Sequence, residues 1–321
     1  MRISTIAGKA AFLFTIVAIF TASAFSQAGL HKALDFDGDG KADDSIFRPS
    51  STTWWIRLSG DGSLKTQVMG IANQDFITPG DFDGDGIGDM AIWRDTSGMW
   101  YWIRSSDNTA HAAQFGVSGD EPVARDYDGD GKTDPAIIRR SNGVMTWYIF
   151  RSTDLGYHAI PFGAATDYSA PGDYDGDGKY DLGVQRPGAT QYAAALFYVA
   201  FASGGYSITP WGFGTDLIVP GDYDGDGKTD IAVVREGTTS NSPLIWYIRR
   251  SSDGGLTALQ WGATGMDLTT QADYDGDGKT DIAVWRNPTG TYYIYRSSNQ
   301  TMDVRVWGTP NDFPLAAYDT H

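Results

Sequence analysis

The chain of 321 residues contains no cysteine, so no disulfide can brace it and no thiolate can act as a nucleophile or hold a soft metal. Glutamate is nearly absent too, occurring only at Glu121 and Glu236, which makes a paired-glutamate glycosidase site hard to assemble. The four histidines, His31, His111, His158 and His321, share neither a repeat position nor a metal-ligand spacing. Surface or turn roles therefore account for them more simply than zinc or a catalytic triad. Basic residues are scarce, 24 Lys and Arg against 40 acidic residues for a net charge of −16. No basic surface is left to neutralise phosphates, and a nucleic-acid partner is disfavoured.

Long hydrophobic runs are missing everywhere except near the start. There Arg2 and Lys9 precede an apolar stretch from Ala10 to about Phe20, followed by the small residues of TASAFSQA. This is the layout of a secretory signal peptide over residues 1–26, with cleavage between 24 and 28, and the apolar stretch falls short of a membrane span. The mature chain is thus expected to be secreted or held at the cell surface, with no membrane span. Without disulfides its stability must come from packing and from metal.

What the chain has in excess is aspartate, and in one pattern. The string DxDGDGxxD occurs six times, starting at Asp35, Asp81, Asp126, Asp173, Asp222 and Asp273. Four carboxylates within nine residues repel one another unless a cation sits among them. Hard oxygen donors at alternating positions suit Ca²⁺, and the seventh residue would add its backbone carbonyl as in an EF-hand loop. The expected ligands are Asp35, Asp37, Asp39, Lys41 and Asp43 in the first loop and Asp81, Asp83, Asp85, Ile87 and Asp89 in the second. They are Asp126, Asp128, Asp130, Lys132 and Asp134 in the third, and Asp173, Asp175, Asp177, Lys179 and Asp181 in the fourth. The last two loops offer Asp222, Asp224, Asp226, Lys228 and Asp230, then Asp273, Asp275, Asp277, Lys279 and Asp281. Up to six Ca²⁺ are expected. The loops lack the EF-hand's glutamate at position twelve, and the residues after each loop read as a strand, as in Ile231-Ala232-Val233-Val234-Arg235.

Motif starts are 46, 45, 47, 49 and 51 residues apart, a period typical of propellers, solenoids and arrays. One unit reads as loop, IAVVR strand, variable turn, IWYIRR strand, polar turn, ALQWG strand and a GxxxD turn, with an extended entry such as Leu217-Ile218-Val219-Pro220. Four short strands per unit make the content of a propeller blade. An arginine lies five residues after every loop: Arg48, Arg94, Arg139, Arg186, Arg235 and Arg286. It reads as a structural ion pair with a loop carboxylate or a backbone carbonyl. The middle strand carries an aromatic pair, Trp54-Trp55, Tyr101-Trp102, Trp147-Tyr148, Phe197-Tyr198, Trp246-Tyr247 and Tyr292-Tyr293, which reads as core packing between sheets. The aspartates of the GxxxD turns, Asp75, Asp120, Asp167, Asp216, Asp267 and Asp312, read as turn caps.

Phe162-Gly163 and Trp261-Gly262, Ala170-Pro171-Gly172 and the DYDGDGKTD loops resemble the FG-GAP/VCBS repeat family, whose blades occur in integrin α subunits and some secreted lectins. The resemblance covers about residues 31–321. It implies an all-β propeller in which each calcium loop joins the innermost strand of a four-stranded blade to the second. Six complete blades result, plus an innermost-type strand at Phe313 to Tyr318; six blades are favoured, and the ambiguous closure leaves seven open. The expected function is a binding module for carbohydrate or for a cell-surface or matrix protein, with calcium structural. The alternatives are a propeller-scaffold lyase or hydrolase acting on polysaccharide, or a purely structural surface-assembly protein. A ligand site is expected near the variable turns Arg140 to Met145, Pro187 to Ala194 and Glu236 to Pro243, on the face opposite the loops.

Overall fold

The computed structural model describes residues 33–319; the expected signal peptide lies outside them. Six four-stranded antiparallel sheets form a ring of blades. In blade 5 the strands run Leu217–Ile218, Ile231–Arg235, Pro243–Arg249 and Leu256–Ala263. Each blade begins with an inner strand of two or three residues and ends with an outer strand whose alternate residues are exposed, as in Met302–Val306. That alternation is what a sheet packed on one face requires.

Blade 1 is assembled from both ends of the chain. Its inner strand, Phe313–Pro314, pairs with Asp44–Arg48, Phe313 opposite Phe47 and Pro314 opposite Ile46. The ring therefore closes at six blades by adding the last strand to the first blade. This strand is shorter than the Phe313 to Tyr318 expected, because Leu315–Asp319 coils into a 3-10 turn. Every inner strand leaves its ladder after two or three residues. Here a 3-10 turn follows, and its Leu315 and Ala316 join the buried cluster that also holds Leu34, Ile46 and Ile92.

The core lies between blades. Trp54, Trp93, Trp100, Trp147, Trp246 and Trp285 are fully buried, and burial of rings this size dominates packing energetics. Their indole N–H groups are also satisfied: Trp100, Trp147 and Trp246 donate to the carbonyls of Phe115, Phe162 and Trp261 at 2.8, 3.0 and 2.9 Å. The acceptors are the aromatic residues of the FG steps. The glycine after each has positive φ, and a Cβ on Gly308 would sit 3.0 Å from the Trp285 ring; both facts demand glycine. In blades 4, 5 and 6 the FG-step tryptophan reaches the next blade. Trp211, Trp261 and Trp307 donate to the carbonyls of Tyr247, Tyr293 and Trp55 at 3.2, 2.9 and 3.3 Å.

Two sequence expectations shift by local register. In blade 2 the residues aligned with Trp54-Trp55 are Trp100-Tyr101, not Tyr101-Trp102, since Trp100 lies opposite Trp93 as Trp54 lies opposite Phe47. Only that register buries the larger ring in a sequence reading WYW. The turn expected over Arg140 to Met145 shrinks to Asn142-Gly143, because Ala136–Ser141 and Val144–Phe150 extend around it. Both residues have positive φ, 51° and 80°, as a type I′ hairpin requires.

Candidate metal centre

The six aspartate loops share one geometry. The first carboxylate folds back over its own loop: Asp222 accepts the N–H of Gly225 at 2.6 Å and of Gly227 at 2.9 Å. The same pair of bonds recurs at Asp35, Asp81, Asp126, Asp173 and Asp273. Gly225 carries φ +80° and Gly227 φ +86°, which lets the chain turn this tightly. The ninth carboxylate ties the loop to the turn beyond the third strand. Asp230 accepts the N–H of Tyr223 at 2.9 Å and of Ser251 at 2.7 Å. Position five takes the N–H of position seven and a serine hydroxyl from that turn, as Asp226 does from Lys228 and Ser251 at 2.9 and 2.8 Å. Blade 4 carries Ala202 where the others carry serine, and the Asp177 carboxylate accepts from the Lys179 N–H without a hydroxyl donor.

Carboxylate oxygens of Asp35, Asp37 and Asp39 lie within 4.8 Å of one another, as do those of Asp222, Asp224 and Asp226, and six such groups exist among the described residues. Burial pushes the ninth carboxyls up, to about 7 at Asp43, Asp134 and Asp181 and about 6 at Asp89, Asp230 and Asp281. Backbone donors oppose that rise and neighbouring aspartates add to it. Asp126 rises to about 6, and Asp35, Asp173 and Asp222 rise as well, again chiefly through burial. Buried carboxylates held this close favour protonation unless a cation neutralises them. The residues fit such an ion: every side-chain donor is a hard oxygen, and the Oδ1 atoms of Asp128 and Asp275 are buried with no hydrogen-bond partner.

The loops also form a ring, which the sequence pattern did not announce. The N–H of position eight donates to the carbonyl of position one in the preceding loop. The donors run Gly88 to Asp35, Thr133 to Asp81, Tyr180 to Asp126, Thr229 to Asp173, Thr280 to Asp222 and, closing the circle, Ala42 to Asp273, at 2.6–2.8 Å. Position seven reaches the same neighbour with its side chain. Lys132, Lys179, Lys228, Lys279 and Lys41 lie across the fourth-position glycines of the preceding loops, where a Cβ would approach a lysine carbon to 2.7–3.1 Å, and Ile87 does likewise at Gly38. Lys279 Nζ donates to the Asp224 carbonyl at 3.0 Å.

The repeated arginine does not pair with a loop carboxylate or a carbonyl. Its partner is the aspartate of the GxxxD turn, on the opposite face. Arg94 Nε donates to Asp75 at 2.7 Å, Arg139 to Asp120 at 2.7 Å, Arg186 to Asp167 at 2.9 Å and Arg235 to Asp216 at 2.9 Å. Arg286 and Arg48 do so with Asp267 and Asp312 at 2.7 and 2.8 Å. A second guanidinium nitrogen makes each pair a fork, the strong geometry for this ion pair. The aspartate also caps its turn, as Asp216 does for the Phe213 N–H at 2.8 Å. The guanidinium lies 4.6–5.2 Å from the second aromatic of the middle strand: Trp55, Tyr101, Tyr148, Tyr198, Tyr247 or Tyr293. The sequence held one signal for this pairing, since Asp75–Arg94 through Asp267–Arg286 keep a constant spacing of 19 residues.

Residues 222–284, from the fifth loop through the sixth and into blade 6, match the FG-GAP-like repeat model. The six-bladed ring repeats the same unit throughout. Its blades fit the FG-GAP-like repeat family. Among solved structures, a triple arginine-to-alanine mutant of AofleA from Arthrobotrys oligospora matches these FG-GAP-like blades with a TM-score of 0.53 at 11% identity, over 88% of this chain and 90% of that one. TolB from Acinetobacter baumannii gives 0.54 at 17% identity, over 85% of this chain and 63% of that one. Likeness at such identities is one of fold. No curated protein matches the chain by sequence. Among the described residues no helix is long and apolar enough to cross a membrane.

Proposed function

We propose that the chain is a secreted, calcium-binding FG-GAP-like propeller over residues 31–321, released by removal of residues 1–26, and that it acts as a binding module for carbohydrate or for a cell-surface or matrix protein. Calcium is structural in this reading. The observation that carries it is the closed ring of six loops, whose clustered carboxylates include buried first and ninth aspartates. In each loop the ligands are the four aspartates and the backbone carbonyl of the seventh residue, from Lys41 to Lys279. A cation there offsets carboxylate repulsion, holds the inner hairpin of its blade, and stiffens its neighbours through the shared hydrogen bonds. The rigid ring then presents its surface loops and blade junctions to a partner.

The test is a glycan and matrix-protein array probed with the mature chain in calcium and again after chelation with EGTA. Binding to a defined sugar or protein that vanishes with EGTA supports the module. Absence of any binding, with the calcium sites filled, refutes it.

A further inference from the structure

Five blades end the third strand with a bulky side chain at one equivalent position: Arg57, Ile103, Phe150, Arg249 and Tyr295. Blade 4 places Ala200 there, opposite Leu182. The volume left open forms a cleft of about 430 Å³ between blades 3 and 4 on the loop face. Its wall carries the rings of Tyr127, Tyr180 and Phe201 together with Arg151, Lys179 and His158. Among the described residues neither Lys179 nor His158 has a side-chain hydrogen bond or ion pair. Arg151 pairs only with Asp154, whose side chain is 52% exposed.

The junction between blades 6 and 1 supplies the internal comparison. A cleft of about 350 Å³ sits at the equivalent place, built from Lys41, Tyr274, Asp275 and Arg296. There the arginines are engaged: Arg57 and Arg305 both pair with Asp44, and Arg296 with Asp303. Blade 4 has Leu182 in place of Asp44 and Ala200 in place of Arg57, so the cleft between blades 3 and 4 lacks that carboxylate, and Lys179 lines it with no ion pair. A concave site of this size, mostly apolar with a few convergent polar groups, has the usual make-up of a small-molecule pocket.

We propose that this cleft is the ligand site of the module and that it takes an acidic sugar, with a uronic-acid residue as the chemical type. The proposal rests on the binding-module reading above. The unpaired ammonium of Lys179 selects a carboxylate, with the Arg151 guanidinium, held only by its exposed partner Asp154, in the same wall. The aromatic rings offer flat faces for a sugar ring. The Thr153 hydroxyl, oriented by its 2.6 Å bond to Asp128, and the His158 ring in the same wall provide hydrogen-bonding groups for hydroxyls that a bare aromatic acid would leave unused. This places the site on the loop face, away from the Pro187 to Ala194 and Glu236 to Pro243 turns.

Isothermal titration calorimetry of the calcium-loaded chain tests the assignment, with digalacturonate, neutral digalactose and benzoate as probes. Saturable one-site binding of digalacturonate is expected, at least about tenfold tighter than either other probe. Two variants should each weaken it at least about tenfold: Ala200→Ile, which refills the cleft with the residue blade 2 carries, and Lys179→Met, which removes charge at a position where Ile87 shows an uncharged side chain is accommodated. Lys179→Met keeps the test decisive if Ala200→Ile lowers the melting temperature. Equal binding of digalacturonate and digalactose, preference for benzoate, undiminished binding by Lys179→Met, or no binding overturns the assignment. A chain that ignores uronates yet gives calcium-dependent array hits loses this site alone, whereas one that binds nothing loses the module reading as well.

Discussion

Replacing Asp312 with alanine should loosen the closure of the ring before it loosens anything else. Asp312 accepts two guanidinium hydrogen bonds from Arg48 at 2.8 Å and caps the Thr309 N–H at 2.8 Å, with its own side chain 2% exposed. Removing one partner of a buried ion pair costs about 3–5 kcal/mol. The Arg48 side chain is 28% exposed, so it can recover part of its hydration, and the expected loss is about 2–4 kcal/mol including the uncapped N–H. Asp216→Ala is the control, because it breaks the same clamp with Arg235 inside a blade that is continuous in the chain. Urea unfolding should show similar losses for both variants. Hydrogen exchange should separate them: only Asp312→Ala should speed exchange in Asp44–Arg48, whose inner partner Phe313–Pro314 is held by the last residues. A loss below about 0.5 kcal/mol would class the clamp as an ordinary surface pair and refute the reasoning, as would identical exchange patterns. Burial alone would raise the Asp312 carboxyl, but the Arg48 side chain and the Thr309 N–H bring it below its usual 3.8. The clamp's contribution is therefore complete above pH 3.8 and is lost as pH falls through the lower folded value.

Trp246→Ala should cost about 3–5 kcal/mol in urea unfolding, since it empties a fully buried site and orphans the Trp261 carbonyl; a cost under about 1 kcal/mol would contradict the packing described. Gly225→Ala should weaken calcium binding to its loop by calorimetry and cost about 1–3 kcal/mol, because the residue has φ +80° and its new Cβ would lie 2.7 Å from Lys279 Cε. In EGTA, melting temperature should rise as pH falls from 7.5 towards 5: the ninth carboxyls, raised to about 6–7 in the fold, bind more protons there than in the unfolded chain. In excess calcium the order should reverse, because the ion needs the deprotonated form; the same slope in both conditions would be inconsistent with metal at these carboxylates.

The loops and their period were legible because both are local. A nine-residue spacing of aspartates and glycines needs no tertiary information, and four strands of regular punctuation give a blade. The pairing of Asp216 with Arg235 was harder to see, since it depends on two strands lying side by side, although the fixed 19-residue spacing was available. Asn142-Gly143 was a readable hairpin turn and the longer Arg140 to Met145 loop overlooked it. The register of Trp100-Tyr101-Trp102 could not be settled locally, because alternate residues of one strand are equally aromatic and only the face that meets Trp93 decides. The cleft beside Ala200 lies furthest from sequence reasoning. It exists through a small residue in one blade and the side chains another blade brings to it.

The central proposal is that calcium, up to six ions, completes this ring. It is tested most directly by counting bound calcium by atomic emission on the dialysed mature chain, with thermal melting of the same sample before and after EGTA. At a free concentration a hundredfold above the dissociation constant each site contributes about 2.7 kcal/mol, so the account predicts close to six ions per chain and a fall in melting temperature of at least about 10 °C on chelation. A chain that carries no calcium and melts unchanged in EGTA would contradict it.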